Sequence, residues 1–141
     1  MDRRTLFLIL CIGALDILML TFGPHPTLDT KLYYTGDEAR ALLGGFDASQ
    51  THAYFLNELF DLLLIASYSA LFYRLKVFVP FLPGAFDLVE TSYILYALKT
   101  PGAHGFLDYL GVVTFLKWVS GGVLVVSWLR RKVRKAGAGP R

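Results

Sequence analysis

Residues 86–98 read FDLVETSYILYAL, with Asp87 and Glu90 set three apart in an otherwise apolar run. Residues three apart on a helix share a face. The stretch therefore reads as a hydrophobic helix with two carboxylates on one stripe. If it crosses a bilayer, the chain has four spans and a charged interior, since a carboxylate in hydrocarbon needs a partner. On that assumption the sequence on either side falls into place.

The chain has 141 residues, 55% of them hydrophobic and 15% aromatic, with a formal net charge of +3. This is more apolar than an ordinary soluble domain, and the length suits one domain. A single cysteine, Cys11, excludes an intrachain disulfide. The opening MDRRTLFLILCIGALDILMLTFG resembles a signal peptide. Its apolar stretch from Leu6 to Phe22 is too long for one and no small-x-small cleavage site follows, so it reads as a retained first span.

Long apolar runs fall at about 5–22, 53–73, 81–98 and 106–129, each near the length a membrane helix needs. They lack the alternation of barrel strands. The expected fold is all-α: a four-transmembrane-helix bundle in a single membrane domain, 1–135, with a flexible basic tail at 136–141. Arg3, Arg4, Arg74, Lys76 and the run Arg130, Arg131, Lys132, Arg134 and Lys135 fall on one side of such a bundle. Lys31, Arg40 and Lys99 fall on the other. The positive-inside rule and the even span count then place both termini in the cytoplasm. Short breaks carrying Pro80, Pro101, Gly102 and Gly105 make spans two, three and four antiparallel neighbours.

The loop at 23–52 is then extracytoplasmic. Its TGDEARALLGGF predicts a short amphipathic helix over 35–44, with a capping box from Thr35 to Glu38 and a stop at Gly44 and Gly45. Ala39, Leu42, Leu43 and Phe46 give it an apolar side, suited to the membrane surface or the mouth of the bundle.

At 1.5 Å per residue, Asp16 comes to roughly 16 Å and Glu90 to roughly 13 Å from the cytoplasmic edge. Lys117 falls near the same level, with Asp61 slightly above the middle, Asn57 and Glu58 a turn higher, and Asp87 a turn below Glu90. Tyr54, Glu58, Asp61, Ile65 and Tyr68 share a face of span two. Asp87, Glu90, Ile94 and Ala97 share one on span three, and Leu110, Val113, Thr114, Lys117, Gly121 and Leu124 one on span four. The candidate site residues are thus Asp16, Asn57, Glu58, Asp61, Asp87, Glu90 and Lys117. Five acids face one base. Close carboxylates raise one another's proton affinity, so at least one is expected neutral at pH 7, with protons shared among Glu58, Asp61 and Glu90. Asn57, Thr91, Ser92, Tyr93 and Thr114 are available as hydrogen-bond partners. The competing view is structural: polar contacts between membrane helices hold bundles together, at about 0.6 kcal/mol each.

Ser120, Gly121 and Gly122 would allow close helix contact near Lys117. His25, His52 and His104 fall in outer loops without a metal-ligand spacing. Tyr33, Tyr34, Tyr54, Tyr73, Tyr109 and Trp128 suit an aromatic belt. No phosphate loop, dinucleotide turn, nucleophile elbow or zinc motif occurs. No metal, cofactor or nucleic-acid partner is expected.

YTGDEARALLGGF, AYFLNELFDLLLIASYSALFY and LPGAFDLVETSYIL together resemble a pattern of small bacterial four-span membrane proteins, which implies a fold and no activity. Asp16 and Glu58 are also similar in placement to early acids of the emopamil-binding-protein-like group, whose members enclose a polar-lined intramembrane cavity. That likeness implies Glu58 or Asp61 as an acid donating a proton to a lipophilic substrate, with Glu90 or Asp87 as partner. The expected partners are membrane lipids and a hydrophobic small molecule, in a bacterial inner membrane. An intramembrane acid–base enzyme, a homo-oligomeric proton- or cation-coupled transporter and a siteless accessory subunit are the alternatives.

Overall fold

The computed structural model describes residues 2–23, 27–28, 31–77, 79–100 and 105–137. Among the described residues it is all-α, with five helices: α1 (Arg3–Phe22), α2 (Gly36–Gly44), α3 (Ala48–Arg74), α4 (Leu82–Lys99) and α5 (Leu107–Gly137). Three of them contain stretches long and apolar enough to cross a membrane: Arg3–Thr21, Ala48–Arg74 and Leu107–Arg134. This corrects the four-span bundle. The helix of the opening stretch, α4, has only 18 residues and holds Asp87, Glu90 and Lys99 among them. With three candidate spans the even count no longer argues for the placement of the termini; contacts do bring Asp2 to Arg74 and Arg131 to Lys76, both at the α3–α4 turn. α4 instead packs between α3 and α5, while α1 packs on α3 and α2 on α5.

Burial is inverted relative to a soluble domain. Phe7, Leu10 and Ile17 on α1 are 64%, 63% and 66% exposed, and α5 turns Val119, Val123 and Val126 outward. Glu58, Glu90, Thr91 and Thr114 are fully enclosed. In water such large apolar faces demand a cover. In a bilayer they are the solvent-facing surface, which matches the three span-length helices.

Local rules set the helix starts. Asp2 caps α1 by accepting from the Thr5 amide at 2.9 Å. Thr35 and Glu38 form the expected capping box on α2, with 3.2 and 2.8 Å bonds. A second box, Asp47 with Gln50, starts α3 five residues earlier than its apolar run suggests. Asp47→Ala should cost about 1 kcal/mol, measurable as a lowered midpoint for thermal loss of helicity in detergent. At the other end α5 runs on through the basic RRKVRK to Gly137, so the first two residues of the predicted tail are helix; residues 138–141 lie outside the described set.

The apolar side of α2 packs onto the bundle. Ala39 joins a core cluster with Leu28, Tyr34, Tyr54, Ile94, Leu107 and Leu110, and Leu42, Leu43 and Phe46 pack against it. Two glycines permit this: a Cβ on Gly36 would strike Asp108, and one on Gly111 would strike the Tyr34 carbonyl. The α3–α4 pair closes in the same way at Gly84, where a Cβ would meet Ser69 Oγ. By contrast Gly121 and Gly122 have nothing within 4 Å of an added Cβ, so they are not the close contact expected of them.

One end of the assembly is tied by Arg74, whose Nη2 stands 3.0 Å from Asp2 Oδ1. The bond from the Thr5 amide, its hydroxyl and Arg74 hold the Asp2 carboxyl down to about 2, from an ordinary 3.8. A depressed carboxyl stabilises the fold above its unfolded value and ceases to do so as pH falls through the folded one. The α1–α3 tie should therefore persist at neutral pH and loosen between about pH 4 and pH 2. An acid titration of the Asp2 carbon signal in detergent micelles would show a midpoint near 2; a midpoint at the ordinary value would mean that neither the Thr5 cap nor the Arg74 tie holds the carboxyl.

Candidate functional site

Lys117 is the hub of the interior. Eleven residues along, it lies roughly 16 Å from the start of α5 by the helical rise. Its Nζ stands 2.8 Å from Asp87 Oδ1 and 2.7 Å from Glu90 Oε2. Both carboxylates come from α4, three residues apart on its buried face, rather than from separate spans. The pairing explains how a short, acid-bearing helix is retained inside: its charges are met by the neighbouring helix. Taking ions out of water costs several kcal/mol each, and only close geometry with further hydrogen bonds offsets that cost.

Those further bonds come from hydroxyls. Tyr68 of α3 donates to Asp87 Oδ2 at 2.8 Å. Tyr34 donates to Glu90 Oε1 at 3.0 Å. The Thr114 hydroxyl lies between the same Glu90 oxygen and the Leu110 carbonyl, 2.9 Å from the latter. Thr91, a residue beyond Glu90, donates to Asp61 Oδ2 at 2.6 Å. α4 is thus linked through its acids and Thr91 to α3, to α5 and to the segment before α2.

Thr91 and Thr114 were expected as partners. Ser92 is exposed, and Tyr93 instead stacks on Phe106 with ring centres 4.1 Å apart. Tyr34 and Tyr54, assigned from the sequence to an aromatic belt, are 1% and 0% exposed; Tyr33, Tyr73 and Tyr109 do face outward. The displacement has one cause. Thr27, Leu28 and Tyr34 are buried among the helices: the Leu28 amide donates to Tyr54 Oη at 3.1 Å, and Trp118 Nε1 donates to the Lys31 carbonyl at 3.1 Å. The acid-binding role of Tyr34 carried no sequence signal, because Tyr34 lies outside any helix and its burial depends on tertiary packing. That of Tyr68 was signalled by its place on the stripe of Asp61.

Beside this network is a cavity of about 650 Å³. α1 contributes Ile12, Asp16, Met19 and Leu20. Asn57, Asp61, Leu64, Tyr68 and Phe72 come from α3. Pro83 and Asp87 of α4, Lys117, Trp118 and Gly121 of α5, and Thr27 complete it. Five of the seven expected site residues line it. Glu58 and Glu90 do not; both are fully buried outside its wall. Asp16 lines the cavity but is otherwise exposed, and it has no hydrogen-bond or ion partner among the described residues. Asn57 is 5% exposed, and its Oδ1 likewise accepts no hydrogen bond. A buried amide oxygen without a donor is costly, of order 1–3 kcal/mol.

Of the histidines, His52 is exposed; His25 and His104 lie outside the described residues. Compared with family models, curated proteins and solved structures, the chain matches none.

Proposed function

We propose that the chain is a multi-pass protein of a bacterial inner membrane that binds a lipid or another hydrophobic small molecule in the cavity between α1, α3, α4 and α5. The observation carrying this reading is the cavity itself. Its 650 Å³ lies in the range of small-molecule pockets, about 300–1,000 Å³. Its walls are largely apolar, with a few convergent polar groups, the usual composition of such a pocket. Ile12, Met19, Leu64 and Phe72 would hold a hydrocarbon body. The exposed Asp16 carboxylate on the cavity wall offers an acceptor for an amine or hydroxyl on the ligand. Lys117 is engaged by two carboxylates and so serves the wall rather than the guest.

The test is gentle extraction followed by native mass spectrometry of the intact chain. Wild-type protein should carry a lipophilic adduct. Leu64→Trp, which fills the cavity, should lose it while keeping its helicity. Wild type that is empty in both lipid nanodiscs and mild detergent, or an adduct untouched by Leu64→Trp, would refute the proposal.

A further inference from the structure

A second concavity, of about 540 Å³, lies at the far end of α3, lined by Tyr73, Arg74, Lys76, Val77 and Pro80. It belongs to the basic end of the molecule. Arg131 Nη1 donates to the Lys76 carbonyl at 2.9 Å, which fixes the basic end of α5 against the α3–α4 turn. Asp2 is held at the same end by Arg74. Arg74, Lys76 and Arg131 thus meet at this end, where the Asp2 carboxylate is already held by Arg74.

Lys76 has a left-handed backbone, φ 52°, and makes no ion pair among the described residues. The Arg131 guanidinium carries five N–H donors, of which the Lys76 carbonyl occupies one. Next to these cations Tyr73 stacks on Phe81, ring centres 5.9 Å apart, with the two residues 64% and 55% exposed. Cationic donors stand directly beside an exposed aromatic pair at the end of a span-length helix. That combination fits one class of molecule, with an anionic head and apolar chains.

We infer that this groove is a binding site for an anionic phospholipid. Lys76 and Arg131 take the phosphate, and the acyl chains run along Tyr73 and Phe81. The site is separate from the cavity and does not depend on what the cavity holds.

The probe is phosphatidylglycerol against phosphatidylcholine, titrated onto delipidated full-length protein and read by native mass spectrometry or tryptophan quenching with brominated lipid. A basic residue near a membrane surface contributes about 1 kcal/mol, or about five-fold in affinity. Lys76→Gly with Arg131→Gln should therefore weaken phosphatidylglycerol binding about 25-fold and leave phosphatidylcholine unchanged. Glycine suits the left-handed position, so the fold should persist, as a circular dichroism melt would verify. If the pair does unfold, wild-type preference lost in 0.5 M salt and Arg131→Gln alone carry the test. Arg130→Gln with Arg134→Gln, which adds no groove residue, should cost much less. Equal loss in that control, no preference between the lipids, or inorganic phosphate competing as strongly as the lipid would each overturn the assignment.

Discussion

Lys117→Met should destabilise the protein by about 3–5 kcal/mol, the usual effect of removing one partner from a buried ion pair. Asp87 and Glu90 are 5% and 0% exposed, and both lean on this one ammonium at 2.8 and 2.7 Å. Without it they must take up protons or draw in water, and α4 loses its hold on α5. The expected result is a sharp fall in folded yield and in the thermal midpoint in detergent. Asp87→Asn and Glu90→Gln added to Lys117→Met should recover most of the loss, because neutral amides keep the hydroxyl bonds from Tyr68, Tyr34 and Thr114 and leave no charge to satisfy. A triple variant as unstable as the single one would show that Lys117 acts through packing rather than charge.

Gly111→Ala should cost about 1–3 kcal/mol, as overpacking does. The new methyl would collide with the Tyr34 carbonyl and approach the Tyr33 ring. Backbone cannot rotate aside as a side chain can, so the segment must move and the Tyr34–Glu90 bond would be strained with it. Gly122→Ala is the matched control. Nothing lies within 4 Å of a Cβ there, and alanine in place of a helical glycine should add about 0.5–1 kcal/mol. Opposite signs from the same substitution on one helix are the result to look for in paired melts.

The periodicity of the sequence identified the buried faces well. Asp61 and Ile65 on α3, Glu90 and Ile94 on α4, and Leu110 and Thr114 on α5 are all buried, because position on a helix is a local property. The number of spans was misread, since an apolar run with two acids resembles a span until its charges are counted against its length. The partners of Lys117 were among the acids expected, but both lie on α4. Hydropathy fixes depth and face, and says nothing about which helix a long side chain will reach. The cavity and the burial of Leu28 and Tyr34 depend on how the helices close around one another, so neither had a signature in the chain. α3 and α5 differ in the same respect: the D-x-x-Q box at Asp47 is a local signal that the apolar run passed over, whereas the close approach at Gly111 needed a neighbour.

The contact between Trp118 and Lys31 also gives the protein a built-in optical probe. The chain has two tryptophans, and the indole of Trp118 is bonded to the carbonyl of Lys31, 87 positions earlier. The donor is synthesised long after its acceptor, so this contact can close only once α5 has taken its place beside the rest. With Trp128→Phe as background, emission from Trp118 would report that last closure in real time, a clock for assembly that needs no added label.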